Sequence, residues 1–527
     1  MGIEKQNTTI ENSGGAVAAT AFPQATEAAL STLSQGGNAV DAAVAAALAL
    51  SVCEPSGSGL GGQTSLLLHL ANGETIYLDG HSHAPAGVSL KTVSADSQRS
   101  GFRACTIPST IATLHKALLR YGSVPMADLL QPAIRLAKDG FATTPLQRKQ
   151  VQWCLGNRKW IGRRPRILRQ TCWLESPRLE QPRLARTLER LARFGAKDFY
   201  SGNLAHDIAE DMRENHGLLS ESDLSTLRLP VARKPVSISY RGFEIISTPP
   251  PAGGLQLLLA LKLLERLYVP AIEPKLSDWY QAVALAVFSA FDEREKFPIH
   301  PDDFTPSVQD WTLGDARADE LASRLTLQKY LVAAMEAEEE PGETTHLCVA
   351  DRKGNVVSLT QSIQSLFGGL VANWKLGFLY NNYLTTCPRY RHPYQIRSRC
   401  LPRSNAAPTF VFKNGELVLA LGAAGSRRIV SSVLQTISRV IDLRMPLSEA
   451  VAAPRVHALL NGKIWLERPA AGDTTCNRLA RLFPKVSLRP KHSFTMGCVQ
   501  ALAVDHGAAP GKTAAADPRR DGTAGGL

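Results

Sequence analysis

The sequence predicts a mixed α/β chain (α+β), and three observations carry that expectation. Apolar positions at helical spacing dominate the first two thirds, in segments from residue 24 to residue 297. From Thr344 onward the texture changes to strand-like runs such as "THLCVAD" and "NVVSLTQS". The two textures meet near residue 343 at an acidic stretch broken by proline and glycine, "EEEPGE" (338–343), with no helix between loop and strand.

Taken in order, helical periodicity marks 24–52, 108–140, 183–213, 254–268 and 276–297. Within the first of these, "NAVDAAVAAALALSVCEP" (38–55) reads as an Ala-rich buried helix closed by Pro55. The glycines of "GSGLGG" (57–62) then join it to a strand pair, "QTSLLLHL" and "GETIYLDG". A dinucleotide fingerprint requires the reverse order, strand before and helix after, so these glycines are read as a turn. "TPPPAGG" (248–254) is a rigid segment that no central strand tolerates. In the last third, "AAPTFVFKNGELVLALG" reads as a hairpin turning at "KNG", and "KIWLERP" as a further strand. Helices are expected over 426–442 and 446–454.

Composition bounds the function. The chain has 527 residues, 44% hydrophobic and 20% charged, which suits a folded protein with a sizeable core. No apolar run is long enough to cross a membrane, and the first residues contain no secretory apolar segment, so a cytoplasmic protein without membrane association is expected. The nine cysteines are scattered without metal spacing, and neither cofactor nor metal is expected. The net charge of +12 is concentrated locally, in 157–170 and in the Arg-rich 388–403. No nucleic-acid motif accompanies either stretch, so solvated faces or walls for an anionic substrate are the reading, and nucleic acid is set aside. "GAAPGKT" (507–513) is one residue short of a phosphate loop.

Two threonines and a histidine at the threshold of a strand admit a specific chemistry. A threonine hydroxyl needs a base, and the residue's own α-amine can serve once the preceding peptide bond is cut. Such an amine titrates at about 7.7–8.0 in reference peptides, so much of it is neutral at working pH. The acidic loop would then be a tail that swings away after cleavage between Glu343 and Thr344. A strand that merely begins with threonine is the other reading of the same residues.

Resemblance bears on that choice. "TTHLCVADRKGNVVSL" resembles the small-subunit start of the γ-glutamyltransferase (γ-glutamyltranspeptidase) family, self-processing N-terminal-nucleophile hydrolases. Residues 16–62, 107–141, "TPPPAGG", "PRSNAAPTFV", "GAAGSR" and "DPRRDGTAGG" resemble further family segments in family order. The resemblance implies a four-layer αββα sandwich of two stacked antiparallel sheets. It also implies a large-subunit segment, 1–343, and a small-subunit segment, 344–527, produced from one chain and intertwined as one unit. Thr344 would be the nucleophile and Ser362 the hydroxyl that hydrogen-bonds it. The backbone N–H groups of Ala424 and Gly425 would form the oxyanion hole. His346 receives no proton-transfer role.

The substrate side departs from the family pattern. Typical members read D-F-R-E-x-A-P, with the arginine clamping the α-carboxylate of a γ-glutamyl group; here "DGHSHAP" places His81 there. Imidazole is not a substitute for a bidentate guanidinium. The positions that hold the α-amine are Gln364, Tyr383 and Thr386, so the family's acid is missing, and of two paired serines Ser404 remains beside Asn405. A γ-glutamyltransferase-like enzyme passing an acyl group from a small-molecule amide to water or an amine through a threonyl acyl-enzyme is expected. An intracellular amidohydrolase or acylase acting on a different amide is the alternative, and a catalytically silent scaffold with the same fold is a further one.

Overall fold

A computed structural model of the chain describes residues 8–156, 178–228, 230–271, 275–327, 342–507 and 510–527. The basic stretch 157–170, the acidic run 338–341, Cys172 and two residues of "GAAPGKT" lie outside the described residues.

The Ala-rich stretch folds as two helices, α1 (Pro23–Ser34) and α2 (Ala39–Cys53), and every residue of α2 is buried. Alanine makes this possible, because its small side chain lets neighbouring elements approach from all sides while retaining the best helix propensity. Asn38 starts α2: its Oδ1 accepts from the N–H groups of Val40 and Asp41, and Asp41 accepts from the Asn38 N–H at 2.8 Å. The longer periodic stretches divide into shorter helices, among them α3 (Thr110–Tyr121), α4 (Gln131–Asp139) and α5 (Pro182–Phe194), with breaks at Gly122–Pro125, Gly195 and Gly202. Beyond them lie α6 (Gly254–Leu267), α7 (Leu276–Lys296) and, late in the chain, α8 (Arg428–Ile441).

Two antiparallel sheets of seven strands each lie between these helices. Seven strands of these two sheets precede residue 342: β1 (Thr9–Ser13), β2 (Val17–Thr20), β3 (Gln63–His69), β4 (Thr75–Asp79), β5 (Val231–Arg233), β6 (Val236–Tyr240) and β7 (Phe243–Ser247). Seven follow: β8 (Gly342–Ala350), β9 (Val356–Ser365), β10 (Thr409–Lys413), β11 (Glu416–Ala424), β12 (Cys498–Asp505), β13 (Gly511–Ala516) and β14 (Thr523–Gly526). One sheet runs β1-β13-β12-β11-β10-β7-β6 and the other β14-β2-β8-β9-β3-β4-β5. Both mix strands from either side of residue 343. The last third is strand-rich as expected, but the helix-rich part also supplies seven strands of the two large sheets, and three of them, β1, β5 and β6, are short edge strands whose patterns are weak. β8 also begins at Gly342, two residues before the expected start.

Period-two alternation sorts the side chains into layers. Leu347 and Val349 of β8 pack with Leu66, Leu68, Val357 and Leu359 against α1, α2 and α4. Cys348 and Ala350, on the other face, meet Phe410, Ala420 and Leu502 of the facing sheet. That sheet turns Val411, Leu419, Leu421 and Val499 toward α6, α7 and α8. The order helix, sheet, sheet, helix is the expected four-layer αββα sandwich. The β10–β11 hairpin turns at Asn414 and Gly415, both with positive φ, as the "KNG" signal requires.

The end of the chain is locked into this core by charge. Asp517 accepts from Arg455 at 2.6 Å and Arg519 at 3.0 Å, Arg519 pairs with Glu467 at 2.5 Å, and all four side chains are buried. Burial alone would raise the Asp517 pKa, but the two guanidinium groups outweigh it and hold the carboxyl below its usual range. A depressed folded pKa contributes stability above the unfolded value of about 3.9, lost as pH falls through the folded one. Asp517→Asn leaves two buried guanidinium groups short of a partner and is expected to lower stability by about 3–5 kcal/mol. Urea denaturation followed by circular dichroism checks this; a midpoint unchanged from wild type would contradict it.

Candidate active site

The β8–β9 ladder is regular from Ala350 to Thr345 and then slips: Thr345 faces Gln361, whereas Glu343 faces Gln364. Thr344 sits in the slip. A bulge of this kind turns a side chain out of the ladder's alternation. The Thr344 hydroxyl thereby donates to Ser362 Oγ at 3.1 Å, and Ser362 donates in turn to the carbonyl oxygen of Glu343 at 2.9 Å. The Gln364 N–H donates to the same Ser362 oxygen at 2.9 Å, fixing its orientation. Gln364 has φ of 80°, a conformation rare for a residue with a side chain.

The glycine loop after α2 is built for close approach to this strand pair. A Cβ at Gly57 would lie 3.2 Å from the Thr344 carbonyl oxygen, and one at Gly62 only 2.3 Å from that of Ser362. The loop follows a helix and leads into β3, the order expected of a turn.

Thr344 and Ser362 open onto a narrow cleft. His81, Gln364, Tyr383, Ser404 and Asn405 line it, so the structure brings five of the six sequence-predicted substrate residues to one wall system around the hydroxyl pair. Tyr383 is buried, which raises its hydroxyl to about 12, and it faces Ser362 and Gln63. Thr386 is not on the wall: its hydroxyl turns back to the Tyr383 carbonyl at 2.9 Å. Ala424 and Gly425 lie behind the lining residue Ser426. Ala424 ends β11 opposite Cys498 in ordinary strand backbone, while Gly425 has φ of 121°. A Cβ at Gly425 would come within 2.9 Å of the Gly497 Cα.

His346 is completely buried between the sheets, its ring nitrogens meeting Thr360 Oγ1 at 2.9 Å and Ser358 Oγ at 3.2 Å. Burial lowers its pKa to about 3, so it stays neutral and serves packing. Gly422 accommodates it, since a Cβ there would fall 2.3 Å from the ring.

Charge is arranged unevenly around the cleft. His81 Nδ1 pairs with Asp79 at 2.7 Å, and Arg233 holds the other Asp79 oxygen at 2.8 Å. Burial works against the Asp79 carboxylate, yet His81 and Arg233 keep its pKa at about 2. On the opposite side Arg294 donates to Asn405 Oδ1 at 2.6 Å and to the Ser404 carbonyl at 2.9 Å. With Oδ1 occupied, Asn405 has its amide N–H groups left to offer a ligand. Arg403 Nη1 donates to both Glu295 carboxylate oxygens at 3.0 Å, and Arg427 approaches the same carboxylate at 3.7 Å. Two guanidinium groups thus share one acid, and the charge of Arg294 lies close to it. Among the described residues no Asp or Glu lines the cleft.

Sequence reasoning missed Arg294, Arg520 and Glu54. Arg520 reaches the Thr344 carbonyl at 3.0 Å from the end of the chain. Its neighbour Glu54 is raised to about 7, by burial first, with Arg520 offsetting part of the shift. The doubled arginine of "DPRRDG" was the available signal, although nothing local connects it to Thr344.

Comparison with known proteins places this geometry. Residues 25–527 match the family model described as Gamma-glutamyltranspeptidase. The chain is 31% identical over 514 residues to the "Glutathione hydrolase proenzyme" of Escherichia coli (strain K12), covering 91% of this chain and 86% of that one. It is 34% identical over 461 residues to the "Acylase ACY 1 proenzyme" of Pseudomonas sp. (strain V22), covering 83% and 81%. The solved cephalosporin acylase from Bacillus halodurans superposes with a TM-score of 0.87 at 25% identity, covering 100% of this chain and 98% of that one. With this fold, a threonine–serine hydroxyl pair at a strand bulge and a match spanning nearly its whole length, the chain belongs to the gamma-glutamyltranspeptidase family and is an enzyme acting on amide bonds.

Proposed function

We propose that the chain cuts itself between Glu343 and Thr344 and then uses Thr344 to transfer, to water or an amine, an acyl group that ends in a carboxylate and lacks an α-ammonium. The observation that carries the first part is the hydroxyl relay: Thr344 donates to Ser362, and Ser362 donates to the carbonyl oxygen of Glu343. In maturation Thr344 Oγ bonds to the Glu343 carbonyl carbon, and negative charge develops on the oxygen that Ser362 already contacts. The C–N bond then breaks, the proton from Oγ ends on the Thr344 nitrogen, and water hydrolyses the resulting ester. The products are a Glu343 carboxylate and a Thr344 bearing a free amine and a free hydroxyl.

That amine is the base for turnover. It takes the Oγ proton as Thr344 attacks the donor amide, Ala424 and Gly425 N–H groups receive the oxyanion, and the proton leaves with the departing amine. Water or a second amine then takes the acyl group.

The substrate side supports an acylase or amidohydrolase over a γ-glutamyl enzyme. The amide of Asn405, the Ser404 hydroxyl and three nearby guanidinium groups suit an anionic end. A γ-glutamyl group would bring an ammonium to a cleft that no Asp or Glu among the described residues lines, and of the acids behind it Asp79 is taken up by His81 and Arg233 and Glu295 by Arg403 and Arg427.

Purified wild type is expected to give two fragments on a denaturing gel, and Thr344→Ala one band; an uncut but folded wild type after long incubation at neutral pH would overturn the maturation scheme. A glutaryl anilide is expected to show kcat/KM at least about tenfold above its γ-glutamyl counterpart, which differs only by the α-amine; equal values would reject the carboxylate-only acyl site. Gly425→Ala is expected to slow acyl-enzyme formation by about 10²–10³, the effect of losing one oxyanion donor, whereas Ala424→Gly changes it only a few-fold. Pre-steady-state burst rates separate these outcomes.

A further inference from the structure

The peptide that is cut sits beside a buried charge cluster that the acyl-transfer scheme does not use. Glu343 is buried, and its Oε2 pairs with Arg520 Nη2 at 2.5 Å. Arg520 Nη1 donates to the Thr344 carbonyl at 3.0 Å and contacts Glu54 Oε1 at 3.3 Å. These three side chains come from the end of α2, the start of β8 and the last turn before β14. Each is at most 5% exposed, so none of the contacts is a passing surface ion pair.

The geometry matters because the scissile bond lies between the two groups that Arg520 holds. One edge of the guanidinium fixes the side chain before the bond, and the other fixes the carbonyl after it. Between them the Glu343 carbonyl must stay on Ser362 Oγ while Thr344 Oγ stays within reach of its carbon. A rotation about either flanking backbone bond would break that register. Guanidinium suits the task, being planar and forked, where an ammonium offers only a point charge.

Glu54 anchors the fork from the opposite side. A Cβ at Gly57 would press on the Thr344 backbone, so the turn that carries Glu54 is itself seated against the cleavage point. Burial raises Glu343 above the usual carboxylate range even with Arg520 beside it, and Glu54 is raised likewise. The uncut chain therefore keeps two desolvated carboxyl groups on one arginine, a crowded arrangement that cleavage can relax by freeing Glu343.

We propose that Arg520, steadied by Glu54, is a positioning residue for self-cleavage that grips the chain on both sides of the Glu343–Thr344 bond and makes maturation depend on an acidic residue at position 343. This rests on the self-cleavage reading above, and the two can fail separately. Intact mass of the wild-type fragments comes first: no cut after Glu343 sinks the self-cleavage reading itself. Given that cut, the rate of precursor loss is measured for Glu343→Ala, Arg520→Met and the double variant. Each single change is expected to slow cleavage tenfold or more, and Arg520→Met is expected to add less than threefold in the Glu343→Ala background. Multiplicative slowing in the double variant, or a single variant within threefold of wild type, overturns the proposal. Urea midpoints of the same changes placed on Thr344→Ala, which cannot cut, separate slowed chemistry from lost folding. Should Arg520→Met fail to fold, Arg520→Lys completes the cycle with Glu343→Ala under the same two criteria.

Discussion

Strand β8 is buried along its whole length, from Gly342 to Ala350, so every polar group on it has to be met from inside the protein. Its apolar residues divide cleanly: Leu347 and Val349 face helices, Cys348 and Ala350 face the second sheet. The polar ones draw in partners from distant parts of the chain. His346 takes Ser358 and Thr360 from β9 and requires a glycine at 422 in β11. Thr344 takes Ser362, and Glu343 takes Arg520. Helix α2, the glycine loop and the folded-back end of the chain are arranged as that strand's surroundings, and Thr344 lies where its ladder slips.

The parts of this that were legible in the sequence are those with local causes. The Ala-rich α2, the Asn-Gly hairpin and the strands around "TTHLCVAD" and "NVVSLTQS" carry their periodicity and turn chemistry within a few residues of one another. Thr344 and Ser362 were legible through resemblance, and the structure sets their hydroxyls 3.1 Å apart. The bulge was not, because a one-residue slip in register leaves no mark on the composition of either strand. Edge strands such as Val231–Arg233 were not legible either, being short and half exposed. Arg294 and Arg520 look like any other arginine in the sequence; only tertiary folding brings one to Asn405 and the other to the Thr344 carbonyl.

Electrostatics ties the substrate wall to the fold in the same way. His81 is not left as an isolated imidazole: Asp79 and Arg233 hold it in a three-member chain, and Arg233 also donates to the Pro250 carbonyl of the "TPPPAGG" segment. That segment buttresses the far wall as well, through the Gly253 N–H to the Ala406 carbonyl and the Ser404 N–H to the Pro251 carbonyl. One rigid loop thus sets the spacing between the His81 side and the Ser404–Asn405 side. A change of acyl group by evolution then needs new side chains on a fixed frame, which is consistent with a family whose named members include both glutathione hydrolases and acylases.

The proposed cut after residue 343 raises the question of what would keep the halves together. The ladder answers it. Only Gly342 and Glu343 of β8 pair with Ser365 and Gln364 upstream of the bond, whereas Thr345 to Ala350 keep their partners in β9. Leu347 to Ala350 are also paired with β2, from the other side of the cut, and β2 pairs with β14 at the end of the chain. Each sheet therefore combines strands from both segments, and separating them would expose the buried faces of both. The proposed cleavage would release two residues of strand and one buried carboxylate while leaving the core pairing intact, so the bulge is a place where the backbone could be broken without the sandwich coming apart.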